Sequence, residues 1–203
     1  MPAGELAPER RRRLLETAAR EFAARGYEQA SLNAIIHACD MSKSSFYHYV
    51  GSKAGLFDAV VREATDELAR SLDIPAPQEL AGPHFWDRVT RLLADVLTVA
   101  GRGDWHAEVG KLFYLPDAPV GRSPAVREAL RSIRSWLDRT LSTGRECGAI
   151  RDDLPPSLQA ALVSDVLRCL DRWSLQHLDK TSALTRTDLT RAQIDVLRRL
   201  LAP

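Results

Sequence analysis

Hydrophobic residues recur every three to four positions along most of this chain, rather than every second position, and this spacing predicts α-helices. The first stripe runs from Pro8 to Arg25 and contains Leu14, Ala18 and Phe22. Gly26 follows it directly, and a glycine after the last apolar position is a typical helix stop.

Three serines mark the predicted starts of the next helices. Ser31, Ser42 and Ser52 each precede a helical stripe, and a serine hydroxyl can accept a hydrogen bond from an unpaired N–H of the first turn. The helix after Ser42 reads KSSFYHYV and ends at Gly51. The prolines of the segment DIPAPQELAGP (residues 73–83) cannot lie inside one continuous helix, so this segment is predicted to be a connector.

Five more helices are predicted beyond the connector, separated by segments rich in glycine, proline and polar residues. Their predicted ranges are His84–Ala100, Asp104–Tyr114, Pro124–Glu146, Pro156–Leu178 and Thr187–Leu201. The pattern therefore predicts an all-α protein of about nine helices.

Composition argues against several classes of protein but does not by itself identify the class to which this chain belongs. Of the 203 residues, 45% are hydrophobic and 27% are charged, with a net charge of +1, so a folded chain is expected. The cysteines Cys39, Cys147 and Cys169 show no CxxC spacing, which argues against a disulfide framework or a zinc site and favours a reducing cytoplasm. The N-terminal sequence has no apolar signal-peptide core, and no stretch is long enough to span a bilayer.

The segment from Ser31 to Tyr49 has the layout of a helix-turn-helix, two short helices joined by a tight turn. The second helix of such a pair enters the major groove of DNA, where small and hydrogen-bonding side chains are needed. KSSFYHYV meets that need, because only Phe46 and Val50 are wholly apolar and can anchor it to a core. Lys53 adds a positive charge beside the N-terminus of the next helix, where anions bind readily.

The pattern G-Y-E-x-A-S, I, M-S-K-S-S-F-Y-H-Y-V-x-S-K-x-x-L-F resembles the DNA-binding domain of the TetR (tetracycline-repressor-like) family. The resemblance implies a two-domain homodimer that represses transcription and leaves DNA when a small ligand binds. It implies a DNA-binding domain at residues 1–55 and a helical effector-binding and dimerisation domain at residues 56–203. The hallmark positions are Gly26, Tyr27, Ser31, Ile35, Ser42, Tyr47, Tyr49, Ser52, Lys53 and Leu56.

Four positions depart from the family pattern. Asp40 stands where the turn usually has glycine, but aspartate tolerates the left-handed conformation better than most residues. Ile36 and Cys39 replace alanines and stay apolar, although Ile36 needs more room. Ser44 replaces a common glycine, which affects base preference more than folding.

The resemblance also implies which residues contact a palindromic, double-stranded operator. Lys43 and Ser44 are the best candidates for reading bases, and Tyr47 and Lys53 for contacting phosphates. The full set of predicted DNA contacts is Ser31, Asn33, Lys43, Ser44, Ser45, Tyr47, His48, Tyr49 and Lys53.

For the rest of the chain the resemblance gives architecture but few motifs. The last two helices are expected to pair with their copies in a homodimer, with Val166, Leu170, Leu197 and Leu200 at the interface. A small, mostly apolar effector is expected among the helices after the connector, although packing into the core is an alternative role for every candidate. The candidates are Trp86, Trp105, His106, Phe113, Tyr114, Trp136, Arg168, Cys169 and Trp173.

Two other functions compete with this interpretation. An enzyme would need a reactive constellation, but the sequence has no phosphate-binding glycine loop and no GxSxG elbow, and no cofactor or metal is expected. The tripeptide His106-Ala107-Glu108 resembles the first half of a zinc deaminase motif, without the PCxxC that completes it. The second competitor is an architectural DNA-binding protein that has no effector.

Overall fold

The computed structural model describes residues 6–100, 104–115, 117–119, 121, 123–177 and 183–203. These residues form α-helices and one short 3-10 turn at Pro77–Leu80, and they contain no β-strand. The helices are α1 Pro8–Gln29, α2 Leu32–Ala38, α3 Lys43–Val50, α4 Lys53–Ser71, α5 Phe85–Ala100, α6 Asp104–Leu112, α7 Pro124–Glu146, α8 Pro156–His177 and α9 Ala183–Leu201.

The predicted all-α class is confirmed, and the differences concern helix ends. Gly26 adopts φ 79° and ψ 167°, so the regular helix breaks where it was predicted to stop, but a further helical turn continues to Gln29. The connector contains a 3-10 turn that begins at Pro77, because proline fits the first position of such a turn. α9 begins at Ala183, four residues before the predicted start. Within the described residues, no helix combines the length and apolarity needed to cross a membrane.

The chain divides into two compact units. The first unit comprises residues 1–68 and 102–130, and the second comprises residues 69–101 and 131–203. Helices α4 and α7 each contribute residues to both units. The division of function at residue 55 stays a prediction, since compactness alone does not say which residues bind an effector.

The core of the first unit joins α1, α2, α3, α4 and α6. Phe22, Phe46 and Phe57 are fully buried in it. Tyr27 stacks on Phe22 with 5.7 Å between ring centroids, and Phe57 meets both rings edge-on at 5.5 and 5.4 Å. Such aromatic pairs add to the free energy of burial, and they join the end of α1 to α4.

The second unit has its own apolar core, built from α5, α7, α8, α9 and the 3-10 turn. Phe85, Leu141 and Ile150 are buried there, and Gly144 permits their close approach, because a Cβ at Gly144 would lie 2.5 Å from a side-chain carbon of Ile150. Buried Gln159 is satisfied, accepting from Arg145 and donating to a backbone carbonyl at 3.0 Å.

Candidate nucleic-acid interface

The three predicted capping serines begin their helices. The Oγ atoms of Ser31, Ser42 and Ser52 accept hydrogen bonds from backbone N–H groups three residues further along, at 3.2, 3.1 and 3.0 Å. Each bond satisfies a donor that the helix itself leaves unpaired. The starts of α2, α3 and α4 are therefore fixed by local chemistry that the sequence alone reveals.

The turn between α2 and α3 (residues 39–42) depends on Asp40. Its φ of 51° is the only positive value outside glycine among the described residues, in line with the prediction that aspartate would take the left-handed conformation here. Arg13 on α1 donates to the carboxylate of Asp40 at 3.0 Å and to the carbonyl of Ala38 at 2.6 Å. Arg13 thus ties both the turn and the C-terminal end of α2 to the first helix.

Helix α3 buries one side chain and exposes a polar face. Phe46 is fully buried, whereas Tyr47 and Tyr49 are 52% and 42% exposed. Among the other predicted DNA contacts, Asn33, Lys43, Ser44 and His48 are exposed, and Ser31, Ser45 and Lys53 are partly buried. The structure therefore places eight of these nine residues on α2, α3 or their caps, with Lys53 at the start of α4.

The hydroxyls at the start of α3 form a small network. Ser42 Oγ lies 3.0 Å from Ser44 Oγ and 2.9 Å from Ser45 Oγ. A hydroxyl that is already oriented loses less rotational freedom when it binds a base edge or a phosphate. The network therefore prepares the end of α3 that is predicted to read bases.

Lys53 is held by the segment that precedes α2. Its Nζ donates to the carbonyl of Glu28 at 2.8 Å and lies 5.2 Å from the centroid of the Tyr27 ring. An ammonium group has three donors, so this hydrogen bond leaves two for a phosphate. The cation–π contact and the hydrogen bond hold the charge in one place without neutralising it.

The carboxylate of Asp117 organises the backbone that holds Lys53. It accepts hydrogen bonds from the N–H groups of Tyr27 at 3.1 Å and Glu28 at 2.7 Å. The bond from Glu28 is the main cause that lowers the pKa of Asp117, and the nearby charge of Lys53 acts in the same direction. Sequence reasoning missed Asp117 and Arg13, because their partners lie far away along the chain and no local pattern marks them.

The basic run at the N-terminus of α1 is engaged within the first unit. Arg11 pairs with Glu63, Arg12 pairs with Glu16 at 2.8 Å, and Arg13 binds the turn as described. Arg11 and Arg13 thus link α1 to its neighbours, whereas the pair of Arg12 with Glu16 lies within α1.

The predicted effector-binding residues are divided between the two units. In the first unit, Trp105 and Phe113 pack against the core, Tyr114 is partly buried, and His106 Nε2 lies 3.9 Å from Glu67 Oε2.

In the second unit, Trp86 donates to the carbonyl of Ala149 at 2.9 Å, and Trp136 donates to that of Pro75 at 3.0 Å. Arg168, Cys169 and Trp173 are exposed on α8. Trp86 also lines a shallow cavity of about 310 Å³. The effector role of the nine residues stays a prediction.

The predicted dimer residues lie on or near the core of the second unit. Leu197 is buried in that core, and Val166, Leu170 and Leu200 are partly buried against it. Their role between two copies of the chain stays a prediction.

Comparisons with known proteins identify the family. Residues 14–60 match the model for "Bacterial regulatory proteins, tetR family". The HTH-type transcriptional repressor Rv1474c of Mycobacterium tuberculosis is 30% identical over 164 residues, which cover 79% of this chain and 75% of that protein. The chain belongs to the TetR family. Another TetR-type relative, the repressor AcnR of Corynebacterium glutamicum, is 36% identical over 172 residues and covers 81% of both chains.

Solved structures agree with this membership at the level of fold. AibR, crystallised with isovaleryl coenzyme A and operator DNA, has a TM-score of 0.71 at 24% identity, covering 93% of this chain and 97% of its own. The ketosteroid regulator KstR2 of Mycobacterium tuberculosis has a TM-score of 0.68 at 20% identity, covering 98% of both chains. This TetR-family chain is thus a DNA-binding transcriptional regulator with an N-terminal helix-turn-helix.

Proposed function

We propose that this TetR-family chain is a repressor that binds a palindromic operator as a homodimer and leaves it when a small, mostly apolar ligand binds. The observation that carries the proposal is the exposed polar face of α3 beside the restrained ammonium group of Lys53. The relatives bear the name of transcriptional repressors, which supports repression rather than activation. An enzymatic role is not part of the proposal.

In this proposal α3 enters the major groove. Lys43 and Ser44, exposed at its first turn, read base edges, and the phenolic hydroxyl of Tyr47 contacts a phosphate. Lys53 contacts a phosphate with the donors that Glu28 leaves available. Base contacts are assigned to Lys43 and Ser44 because the N-terminal residues of a recognition helix contact the base edges.

Release follows from thermodynamic linkage. A ligand that binds more tightly to the DNA-incompetent form must weaken DNA binding by the same factor by which DNA weakens the ligand. A preference of about 1.4 kcal/mol per subunit is tenfold, so two subunits change operator affinity by about a hundredfold. AibR, which shares the fold, was crystallised with both operator DNA and isovaleryl coenzyme A. For this chain we propose only that it too binds both DNA and a small ligand.

Gel-shift titration with the DNA that borders the coding region tests this function. We expect a retarded band that mixed-sequence DNA does not compete away, and that an apolar compound from a screen releases. All four tryptophans lie outside residues 14–60, in the part of the chain where the effector is expected to bind. The same compound should therefore change tryptophan emission. Equal binding to every duplex, with no compound that releases it, would favour an architectural DNA-binding protein instead.

A further inference from the structure

A residue distant in the sequence contacts the helix-turn-helix from the segment between α6 and α7. Asp117 is 90 residues from Tyr27, whose N–H donates to one carboxylate oxygen, while the N–H of Glu28 donates to the other. Gly26 makes the approach possible, because a Cβ there would lie 2.9 Å from Oδ2 of Asp117 and the backbone has φ 79°. The carboxylate is therefore seated in a cradle of backbone that only glycine allows.

The same two residues hold Lys53. The carbonyl of Glu28 accepts the hydrogen bond from Lys53 Nζ, and the ring of Tyr27 lies beneath the ammonium group. Asp117 thus fixes the backbone of Tyr27 and Glu28 through their N–H groups, and Lys53 donates to the carbonyl of Glu28 in the same segment. If the carboxylate is removed, Tyr27 and Glu28 lose the acceptor that orients them.

We propose that Asp117 is a positioning residue for DNA binding, which places Lys53 for its phosphate contact through Tyr27 and Glu28. The inference rests on the proposed function in one respect, the contact between Lys53 and a phosphate. It adds a residue outside the helix-turn-helix to the determinants of DNA affinity.

The direction in which DNA affinity changes when Asp117 is replaced distinguishes a positioning role from a purely electrostatic one. Removal of a carboxylate near a DNA-binding face reduces repulsion of the phosphates and should strengthen binding. Loss of positioning should weaken it. Asp66→Asn is the control, because it removes an exposed carboxylate from α4, the helix that begins at Lys53, and leaves Tyr27 and Glu28 unchanged.

The experiment measures the affinity of wild type, Asp117→Ala and Asp66→Asn for a labelled mixed-sequence duplex at several salt concentrations. We expect Asp117→Ala to bind about threefold to tenfold more weakly, the size of one hydrogen bond. Its log–log salt dependence should fall by about one, the change expected when one phosphate contact is lost. Asp66→Asn should bind as tightly as wild type or more tightly.

A double-mutant cycle with Lys53→Ala completes the test. Asp117→Ala should cause no further loss in the Lys53→Ala background, because the group that it positions is absent. Additive losses, or wild-type affinity of Asp117→Ala, would overturn the proposal. If Asp117→Ala does not fold, Asp117→Asn replaces it, since its carbonyl oxygen still accepts one N–H and the same changes are expected at smaller size. A wild type that binds no duplex would instead contradict the proposed function.

Discussion

Lys43 and Lys53 are both basic residues at the start of a helix, but their surroundings differ. Lys43 is exposed on α3, whereas Lys53 is partly buried and bonded to the backbone of Glu28. A restrained charge suits a phosphate, which is present at every site, and an exposed side chain at the first turn of α3 suits contact with a particular base. The two lysines are therefore expected to contribute differently to affinity and to specificity.

The first prediction separates these roles. Lys53→Ala should weaken binding to all duplexes by a similar factor and lower the log–log salt slope by about one. Substitution of Lys43 or Ser44 should change the preferred base at one position by about 1–3 kcal/mol. Affinities for a set of single-base operator variants measure both effects. Parallel losses on every variant after each of the substitutions would refute the division.

At the same scale, some residues of the interface were predictable and others were not. The left-handed Asp40 follows from a residue preference that acts locally. Its partner Arg13 and the distant Asp117 do not, because a hydrogen bond between residues 27 or 90 positions apart exists only after the chain has folded. The exposed face of α3 was predictable from its polar residues, and the fixed position of Lys53 was not.

At the scale of elements, short helices depend on their caps more than long ones do. α2 has seven residues and α3 has eight, so each has few internal hydrogen bonds to offset the cost of nucleation. Ser31 and Ser42 supply the missing partners, and this local chemistry explains why both starts could be predicted. The 3-10 turn at Pro77–Leu80 was missed because Pro77 is equally compatible with an irregular connector.

The second prediction concerns the cap of α3. Ser42→Ala should lower the free energy of unfolding by about 1 kcal/mol, because Ser45 then loses its N-cap acceptor. Ser44→Ala is the control, since its exposed hydroxyl caps no helix, and it should change the midpoint of urea denaturation little. Equal destabilisation by both substitutions would show that the cap is not the cause.

At the scale of the whole molecule, the second unit leaves an apolar stripe exposed on α8. Leu158, Leu162, Cys169 and Trp173 lie within one face of the helix by their spacing, and all four are exposed. Leu162 and Trp173 are 37% and 42% exposed, whereas the predicted dimer residue Leu197 is 6% exposed within the core of its own unit. We therefore expect the stripe to contribute more directly to dimer formation than Leu197 does.

The third prediction follows from that difference. Leu162→Glu should give a folded monomer that binds a palindrome weakly, because the second half-site no longer benefits from effective concentration. Leu197→Glu should give unfolded or insoluble protein, since it places a charge in a core. Ile133→Glu, at an exposed residue of α7, is the control and should leave a dimer. Sedimentation of all three checks this, and a dimeric Leu162→Glu would exclude the stripe as an essential contact.

Selection of bound sequences from a random DNA pool tests the central claim most directly. A two-fold dimer presents two copies of α3, so the recovered sequences should contain inverted half-sites whose centres are about 34–36 Å apart, or a small multiple of that distance. Lys43→Ala should change the enriched half-site, and Lys53→Ala should recover the same one at lower yield. A pool that never enriches, or that enriches only single half-sites, would contradict the account of a dimeric, sequence-specific repressor.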